Sequence, residues 1–309
     1  TSIAEDLKEK KLIKNVFFYK IYLKIKKPSS IKIGTYEVSG KMSLDQLIEK
    51  LSSTDIKDES ISITFPEGKN MRFIAKTIAE NTNNTEDDVY NILKDDVYLN
   101  SLIQNYWFLD ESIKNKEIYY SLEGYLYPDT YQFKNKEVDV QTIFNTMLDN
   151  MEKKLRAYQS VIEESKYSFH EILTLASMVE LEASTTEDRR GVAGVFYNRL
   201  NSRMSLGSDV TTYYAAKVDM GERDLYKSEL NDANAYNTRS SSLAGKLPVG
   251  PICNPEITSI EAALYPTESN YYYFVADKNK KVYFSRNSKE HNETIAELKS
   301  EGLWYTYDN

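Results

Sequence analysis

The sequence of 309 residues predicts an α+β fold built in three successive parts. Apolar residues recur with the helical period in the runs 43–53, 138–166 and 171–183. Short runs of β-branched and aromatic residues at 61–65 and 271–285 are typical of strands. Hydrophobic residues at 41% and charged residues at 28% are ordinary for a soluble globular protein, and the length suffices for two or three cores. We expect an N-terminal α/β segment (1–58), a small α+β subdomain (59–117) and a mixed α+β domain (118–309).

The first part is expected to begin with helical structure over residues 1–28, where apolar positions recur at helical spacing. The run IKIGTYEVSG (31–40) fits a short strand pair, because glycines punctuate it. Ser43 and Gln46 form a capping box that opens the next helix. The polar run 54–60 is interpreted as a hinge.

The second part has the element order strand, turn, helix, polar linker, helix. The strand ISITF (61–65) leads through a Pro-Glu-Gly turn into an amphipathic helix, and a capping signal from Thr85 to Asp88 opens the next one. This order is similar to that of small LysM-like glycan-binding modules. A clear closing strand is missing before Tyr106, so a generic α+β subdomain remains the alternative.

The third part combines aromatic runs with long helices. The aromatics of LEGYLYPDTYQF (122–133) alternate at the period of a strand, broken by a Pro-Asp turn. A helix is expected over 138–166, and YYYFVADKNKKVYFS (271–285) is expected to form a β-hairpin that turns at Asp277 to Lys280. A last helix is expected to begin near His291.

Composition argues against several classes of function. The formal charge of −8 and the lack of a basic stripe argue against a nucleic-acid partner. Cys253 is the only cysteine and the chain has two histidines, so neither an intrachain disulfide nor a histidine-based metal site is expected, and no cofactor motif is found. No apolar run reaches a membrane span, and because the sequence begins Thr-Ser without Met, we expect an anchor or signal upstream of it.

Two carboxylates, Glu180 and Glu182, stand at the end of an otherwise apolar helical run. On a helix over 171–183, Glu182 falls about 75° from the centre of the apolar arc and Glu180 about 85° away on its other side. Both could be rim residues. A carboxylic acid held against apolar surface could equally act as a general acid, because loss of hydration raises its pKa. A box from Ser184 to Glu187 then opens a second helix, so an αα-hairpin is expected with its elbow beside the glutamates.

Polar clusters follow further along the chain. Residues 205–215 bring Ser208, Asp209, Thr211 and Thr212 together in a turn before a short helix, and 234–255 is a long loop rich in Asn, Ser, Gly and Pro. Loops of that length inside a compact domain are often functional. Asn, Thr and Tyr side chains suit sugar hydroxyl and acetamido groups, although ordinary surface loops have the same composition.

The motifs together resemble the YceG-like family of endolytic murein transglycosylases. The matching segments follow in the family's order over nearly the whole chain: LEGYLYPDTYQF, LASMVELEA, GVAGVFYNRL, the Ser-Asp-x-Thr segment, AYNT, LPVGPICNP, YYYFVAD and EHN. The chain departs from the family pattern at Leu181, Val210 and Arg239, and none of these departures removes a carboxylate.

The resemblance implies an endolytic peptidoglycan lytic transglycosylase. Such an enzyme cleaves the MurNAc-β-1,4-GlcNAc bond without water, leaves 1,6-anhydroMurNAc ends and ends the elongation of nascent strands, with no metal or cofactor. It implies a single-pass membrane protein with its domains outside the cytoplasm, a LysM-like module ahead of the catalytic domain, peptidoglycan as substrate and cell-wall synthases as candidate partners. Glu182 is then the catalytic acid and base. Candidates for holding the sugars or tuning Glu182 are Glu180, Ser208, Asp209, Thr211, Tyr236, Asn237 and Thr238.

Two alternatives stay open. One is a non-catalytic peptidoglycan-binding scaffold built around the LysM-like unit. The other is a muramidase-type hydrolase that uses Asp209 as a second carboxylate, since most glycosidases need two.

Overall fold

The computed structural model describes residues 3–28, 36, 38–52 and 59–304. It divides into two compact units, Thr1–Ile61 with Lys134–Lys136, and Ser62–Phe133 with Glu137–Asn309. Both helices and small sheets are present, so the predicted α+β class is confirmed. The predicted boundaries at 58 and 117 stay predictions. Among the described residues, no helix is both long and apolar enough to span a bilayer.

The described residues of the first unit form three helices: α1 (Ile3–Glu9), α2 (Val16–Lys26) and α3 (Leu44–Ser52). The helical structure expected over 1–28 is present as two helices, because the chain leaves the helix after Glu9 and Asn15 caps a new one by accepting from the backbone N–H groups of Phe17 and Phe18. The capping box of Ser43 and Gln46 is confirmed. The strand pair over 31–40 and the hinge over 54–60 fall mostly outside the described residues.

The second unit begins at Ser62, the second residue of β1 (Ile61–Phe65), and continues with α4 (Met71–Asn81), α5 (Glu86–Ile92) and α6 (Asp96–Asn105). The predicted strand, the helix after it and the capping box of Thr85 and Asp88 are confirmed. The sheet partner of β1 is β2 (Asp129–Phe133), which lies beyond the predicted end of the LysM-like subdomain.

The segment 122–127 was expected to be strand, and that expectation is wrong. It forms turns, and its side chains Leu122, Tyr125 and Leu126 are buried. The cause is Gly124, which has φ +87° and lies so close to Pro251 that a Cβ atom would stand 2.4 Å from the proline Cβ. Only glycine fits this close approach, and the left-handed backbone turns the chain away from a strand.

The helix expected over 138–166 is shorter. Helix α7 (Val140–Leu155) buries its predicted face, then a 3-10 turn (Arg156–Tyr158) leads into the short α8 (Gln159–Glu163). Its buried apolar side chains include Ile143, Met147 and Met151.

The centre of the second unit is the predicted αα-hairpin, formed by α9 (Phe169–Glu182) and α10 (Thr186–Asn201). The helix is capped one residue later than expected, because the Thr185 side chain, not that of Ser184, accepts from the backbone N–H of Asp188. Helix α13 (Ile257–Leu264) packs against both helices of the hairpin. The remaining elements are α11 (Asp209–Ala215), α12 (Lys227–Leu230), α13 (Ile257–Leu264), β3 (Tyr273–Ala276), β4 (Val282–Ser285) and α14 (Ser288–Ser300).

The predicted β-hairpin is confirmed. Strands β3 and β4 pair antiparallel with Tyr273 opposite Ser285 and Ala276 opposite Val282, and the turn between them includes Asp277 and Lys280. The last helix, α14, begins a turn earlier than expected, because the Asn287 side chain caps it.

Candidate active site

Glu182 is the last residue of α9, and its side chain keeps partial exposure at the elbow of the hairpin. The hydroxyl of Ser208 donates a 2.6 Å hydrogen bond to Glu182 Oε1. Burial raises the pKa of Glu182 to about 7, and the nearby charge of Asp209 adds to the rise, whereas the Ser208 hydrogen bond and the charges of Arg199 and Arg239 oppose it. A carboxyl with a pKa near 7 can both give and take a proton at neutral pH.

Ser208 is held in place by buried threonines. Its backbone N–H donates to Thr238 Oγ1 at 3.0 Å, and Thr211 Oγ1 donates to the Ser208 carbonyl at 2.7 Å. The two threonine hydroxyls are 2.7 Å apart, and both residues are fully buried. Thr211 and Thr238 therefore fix the backbone from which the Ser208 hydroxyl points towards Glu182.

Asn237 and Tyr236 support the same loop from inside. Asn237 is buried, accepts from Thr212 Oγ1 at 2.9 Å and donates to the carbonyl of Asp232 at 2.7 Å. Tyr236 is 1% exposed and its hydroxyl accepts from the backbone N–H of Tyr119 at 3.2 Å. Their polar atoms are used within the protein, so in this conformation neither side chain is free to bind a sugar.

Asp209, unlike these residues, is exposed, and it forms an ion pair with Arg239. The pair lies at the start of α11, directly after Ser208. An open cleft of about 620 Å³ lies beside it and is also lined by Tyr213, Lys227 and Asn231. Of the predicted site residues other than Glu182, Asp209 is therefore the one placed to meet a large ligand.

Glu180 lies apart from this cluster. Its carboxylate is buried and accepts from Arg189 Nη2 at 3.1 Å, from Ser259 Oγ at 2.7 Å and from the N–H of Glu256 at 3.1 Å. Burial raises the pKa of Glu180, while Ser259 and Arg189 oppose the rise. Glu180 therefore joins α9 to α10 and α13, and it is buried and does not lie at the rim of the helix.

Arg199 of α10 was missed in the sequence. Its Nε donates to the carbonyl of Tyr272 and its Nη1 to the carbonyl of Leu206, both at 2.6 Å, and the guanidinium lies 5.2 Å from the ring centre of Tyr273. It thus holds the segment that leads into Ser208, and its charge acts on Glu182. The signal was available, since position 199 continues the apolar face of Val192, Val195 and Phe196 at helical spacing.

Glu123 is a second buried carboxylate that sequence reasoning passed over. Only 2% exposed, it accepts from the N–H of Met71 and from the hydroxyl of Tyr214, both at 2.9 Å. Burial raises the pKa of Glu123 to about 7. Its hydrogen bonds link the start of α4 to α11. The sequence indicated a buried carboxylate here, because Glu123 stands alone between Leu122 and Gly124 in an apolar run.

Metal chemistry has no visible candidate in the part of the chain that the structure describes. No group of three or more His, Cys, Asp or Glu side chains there is arranged to hold an ion. The chemistry of the elbow is that of one carboxyl, one hydroxyl donor and nearby charged side chains.

Comparison with known proteins places this arrangement in a family. A profile of the YceG-like family matches residues 1–297. The chain is 36% identical over 293 residues to the "Endolytic murein transglycosylase" of Bacillus subtilis (strain 168), and the alignment covers 94% of this chain and 80% of that protein. It is 33% identical over 311 residues to proteins of the same name from two Streptococcus pneumoniae strains, covering 96% of this chain and 56% of theirs.

A solved structure agrees with these sequence matches. The crystal structure of a YceG-like protein from Listeria monocytogenes superposes with a TM-score of 0.69 at 34% identity, and the match covers 94% of each chain. Because the profile, the sequence relatives and the solved structure agree over nearly the whole length, the chain belongs to the YceG-like family.

Proposed function

We propose that this chain is an endolytic peptidoglycan lytic transglycosylase that cleaves the MurNAc-β-1,4-GlcNAc bond and leaves 1,6-anhydroMurNAc ends. The observation that carries the proposal is the pairing of Glu182 with Ser208 at the elbow, where burial raises the pKa of Glu182 to about 7. The names of the curated relatives support the same reaction class.

The reaction needs one carboxyl because the nucleophile belongs to the substrate. Protonated Glu182 gives its proton to the glycosidic oxygen as the bond from MurNAc C1 breaks. The resulting carboxylate then takes the proton from the C6 hydroxyl of the same MurNAc, and that oxygen closes on C1. Glu182 ends protonated as it began, and no water enters the product.

Burial and Ser208 act on opposite halves of this cycle. Loss of hydration favours the protonated acid that starts the reaction, and the Ser208 hydroxyl and the charge of Arg199 favour the carboxylate that finishes it. A pKa near neutrality lets one group serve both steps with little cost in either.

The surroundings of Asp209 favour this reaction over hydrolysis. A muramidase would need Asp209 as a free nucleophile or base. Its carboxylate is instead paired with the guanidinium of Arg239 and is not free for either role. The remaining alternative, a non-catalytic scaffold, gives no reason for a glutamate at the elbow with a pKa of about 7.

Mass spectrometry of purified murein after digestion separates the three functions. Anhydro ends support the transglycosylase, ends with one added water support the hydrolase, and an unchanged sacculus supports the scaffold. Glu182→Gln is the test variant and Glu187→Gln the matched control, because Glu187 is exposed in the first turn of α10. Loss of cleavage in the first variant alone supports the proposal, and cleavage by Glu182→Gln at the wild-type rate refutes the role of Glu182.

We further propose that the chain acts outside the cytoplasm, held by a membrane anchor, and that it ends strand elongation next to cell-wall synthases. Residues 59–117 would serve as its LysM-like module. A full-length protein carrying a reporter after residue 309 tests the location: protease added to intact protoplasts should remove the reporter, and full protection would refute it.

A further inference from the structure

A polar cavity of about 580 Å³ lies in the second unit, away from Glu182. It is lined by helix α5 and the two residues after it, the start of α6, the segment 114–121 and Lys217, which lies two residues beyond the end of α11. Its volume is in the range of sites that bind small molecules or single sugar units. We term this cavity the lysine–tyrosine pocket. It is defined by its three tyrosines and its six charged lining residues: Tyr90, Tyr119, Tyr120, Lys94, Lys114, Lys116, Lys217, Asp87 and Asp96.

The charged residues that line the pocket are mostly positive, whereas the chain as a whole carries a net negative charge. The whole sequence has 47 acidic and 39 basic residues, but the pocket is lined by four lysines and two aspartates. Lys94, Lys116 and Lys217 are exposed, and within the described part of the chain none of them forms an ion pair. Lys217 lies 4.4 Å from the ring centre of Tyr119. Three cations are thus available to an anionic ligand.

One wall of the pocket is aromatic. Tyr90 and Tyr120 stack with ring centres 5.7 Å apart and an angle of 25° between their planes. Both are half-buried, so part of each ring stays open. A rigid, half-open tyrosine pair offers a flat apolar surface with polar edges, which suits the faces of a sugar ring.

The pocket and the elbow share one framework. The Tyr119 ring stacks on Tyr214 at 5.6 Å and packs against Tyr236 at 4.8 Å. Two residues after Tyr236, Thr238 holds Ser208 against Glu182. A ligand in the pocket is therefore held at a fixed relation to the elbow, because packed aromatic rings leave little freedom between them.

We propose that the lysine–tyrosine pocket is an accessory substrate site that binds a carboxylate-bearing part of the peptidoglycan strand away from the bond that is cut. The tyrosine pair takes a sugar face, and the lysines take the carboxylates of the peptide attached to MurNAc. The proposal rests on the proposed function for its substrate class. The recognised chemistry is a flat sugar with carboxylates beside it, and lysine ammonium groups can follow such carboxylates on flexible stems.

Binding to a Glu182→Gln chain tests the pocket without cleavage. The probes are glycan strands that carry their peptides and the same strands after the peptides are removed by an amidase. The double variant Lys116→Glu, Lys217→Glu should lose about tenfold in affinity for the peptide-bearing strands and little for the stripped ones, since it replaces two exposed attractive charge pairs with repulsive ones. The double control Lys153→Glu, Lys289→Glu has the same net charge and should bind as the parent does.

Three results would overturn the proposal. If the pocket variant binds peptide-bearing strands as tightly as the parent does, the pocket is not a binding site for the strand. If affinity falls equally for both probes, the lysines do not recognise the carboxylates of the peptide. Tighter binding of poly(glycerol phosphate) than of peptide-bearing strands, abolished by the same two substitutions, assigns the pocket to a phosphate polymer.

The two proposals can fail separately. With Glu182 restored, the pocket variant should raise KM for peptide-bearing strands while kcat stays within about twofold. If the wild-type chain leaves murein uncut but the pocket substitutions still weaken binding, the proposed reaction fails and the pocket stands. Anhydro products with an unchanged KM refute the pocket alone.

Discussion

The hydroxyl of Ser208 lies 2.6 Å from Glu182 Oε1 and is directed there by the buried threonines Thr211 and Thr238. This pair unites the end of α9 with the start of α11, which are distant in sequence. It gives the glutamate a donor that stabilises its ionised form in a site where burial favours the neutral one.

Ser208→Ala should raise the pKa of Glu182 above about 7, because the substitution removes a hydrogen bond that favours the carboxylate. If the acid form starts the reaction, the alkaline limb of the pH–rate profile moves to higher pH, by about one unit. Loss of a hydrogen bond to a charged group should lower kcat at least about tenfold. The measurement is kcat against pH on solubilised glycan strands.

Ser184→Ala is the control for that experiment, because Ser184 is exposed at the elbow and does not cap α10. Ser184→Ala should change neither the position of the alkaline limb nor kcat. A Ser208→Ala profile that coincides with the wild-type profile would disprove the coupling between Ser208 and Glu182.

Arg199→Met should shift the alkaline limb of the pH–rate profile to higher pH, because the guanidinium charge favours ionised Glu182. The variant also loses two hydrogen bonds to carbonyl oxygens, those of Leu206 and Tyr272, and should be less stable by about 2 kcal/mol. Arg286→Met, which removes an exposed arginine paired with Glu290, should change neither property. If stability falls with no movement of the limb, Arg199 is structural only.

Glu180→Gln should destabilise the fold and spare the chemistry of the folded fraction. It removes one of the two carboxylates that pair with buried Arg189, and because Glu256 still pairs with that guanidinium we expect a loss of about 2 kcal/mol. Urea denaturation measures the loss, and activity per folded molecule measures the chemistry. A stable but inactive Glu180→Gln chain, with an active Glu182→Gln chain, would reverse the roles of the two glutamates.

Glu123 should make stability fall between about pH 4.5 and 7. Its pKa is raised to about 7 in the folded chain from 4.5, so the folded state binds the proton more tightly than the unfolded state in that range. The stabilisation is complete below about pH 4.5 and is lost as pH rises through 7, by about 3 kcal/mol. Glu123→Gln should remove this fall, which denaturation at several pH values shows as a smaller difference between pH 5 and 8. An unchanged pH dependence would contradict the prediction.

Local sequence signals predicted the hairpin, its elbow and most of the helices, because helical periodicity and caps act over a few residues. The predicted N-cap of α10 was one residue too early, because Ser184 with Glu187 and Thr185 with Asp188 are both spaced as a capping pair at the same helix start. The turn at 122–127 could not be predicted, since it depends on the approach of Gly124 to Pro251 across the fold.

The two glutamates show where spacing stops being informative. Their angles from the apolar arc are nearly equal, so periodicity leaves them equivalent. They differ because Arg189 and Ser259 meet Glu180, whereas Ser208 meets Glu182. Those partners lie on other elements, and it was mainly the resemblance to the YceG-like family that singled out Glu182 in the sequence.

The most direct test of the central claim is digestion of murein in water labelled with heavy oxygen, followed by mass analysis of the new MurNAc ends. If Glu182 passes the proton from the C6 hydroxyl of the substrate, the ends should be 1,6-anhydro rings without the label, and Glu182→Gln should produce none. New ends that carry one labelled oxygen would show that water is the nucleophile and would contradict the single-carboxyl mechanism.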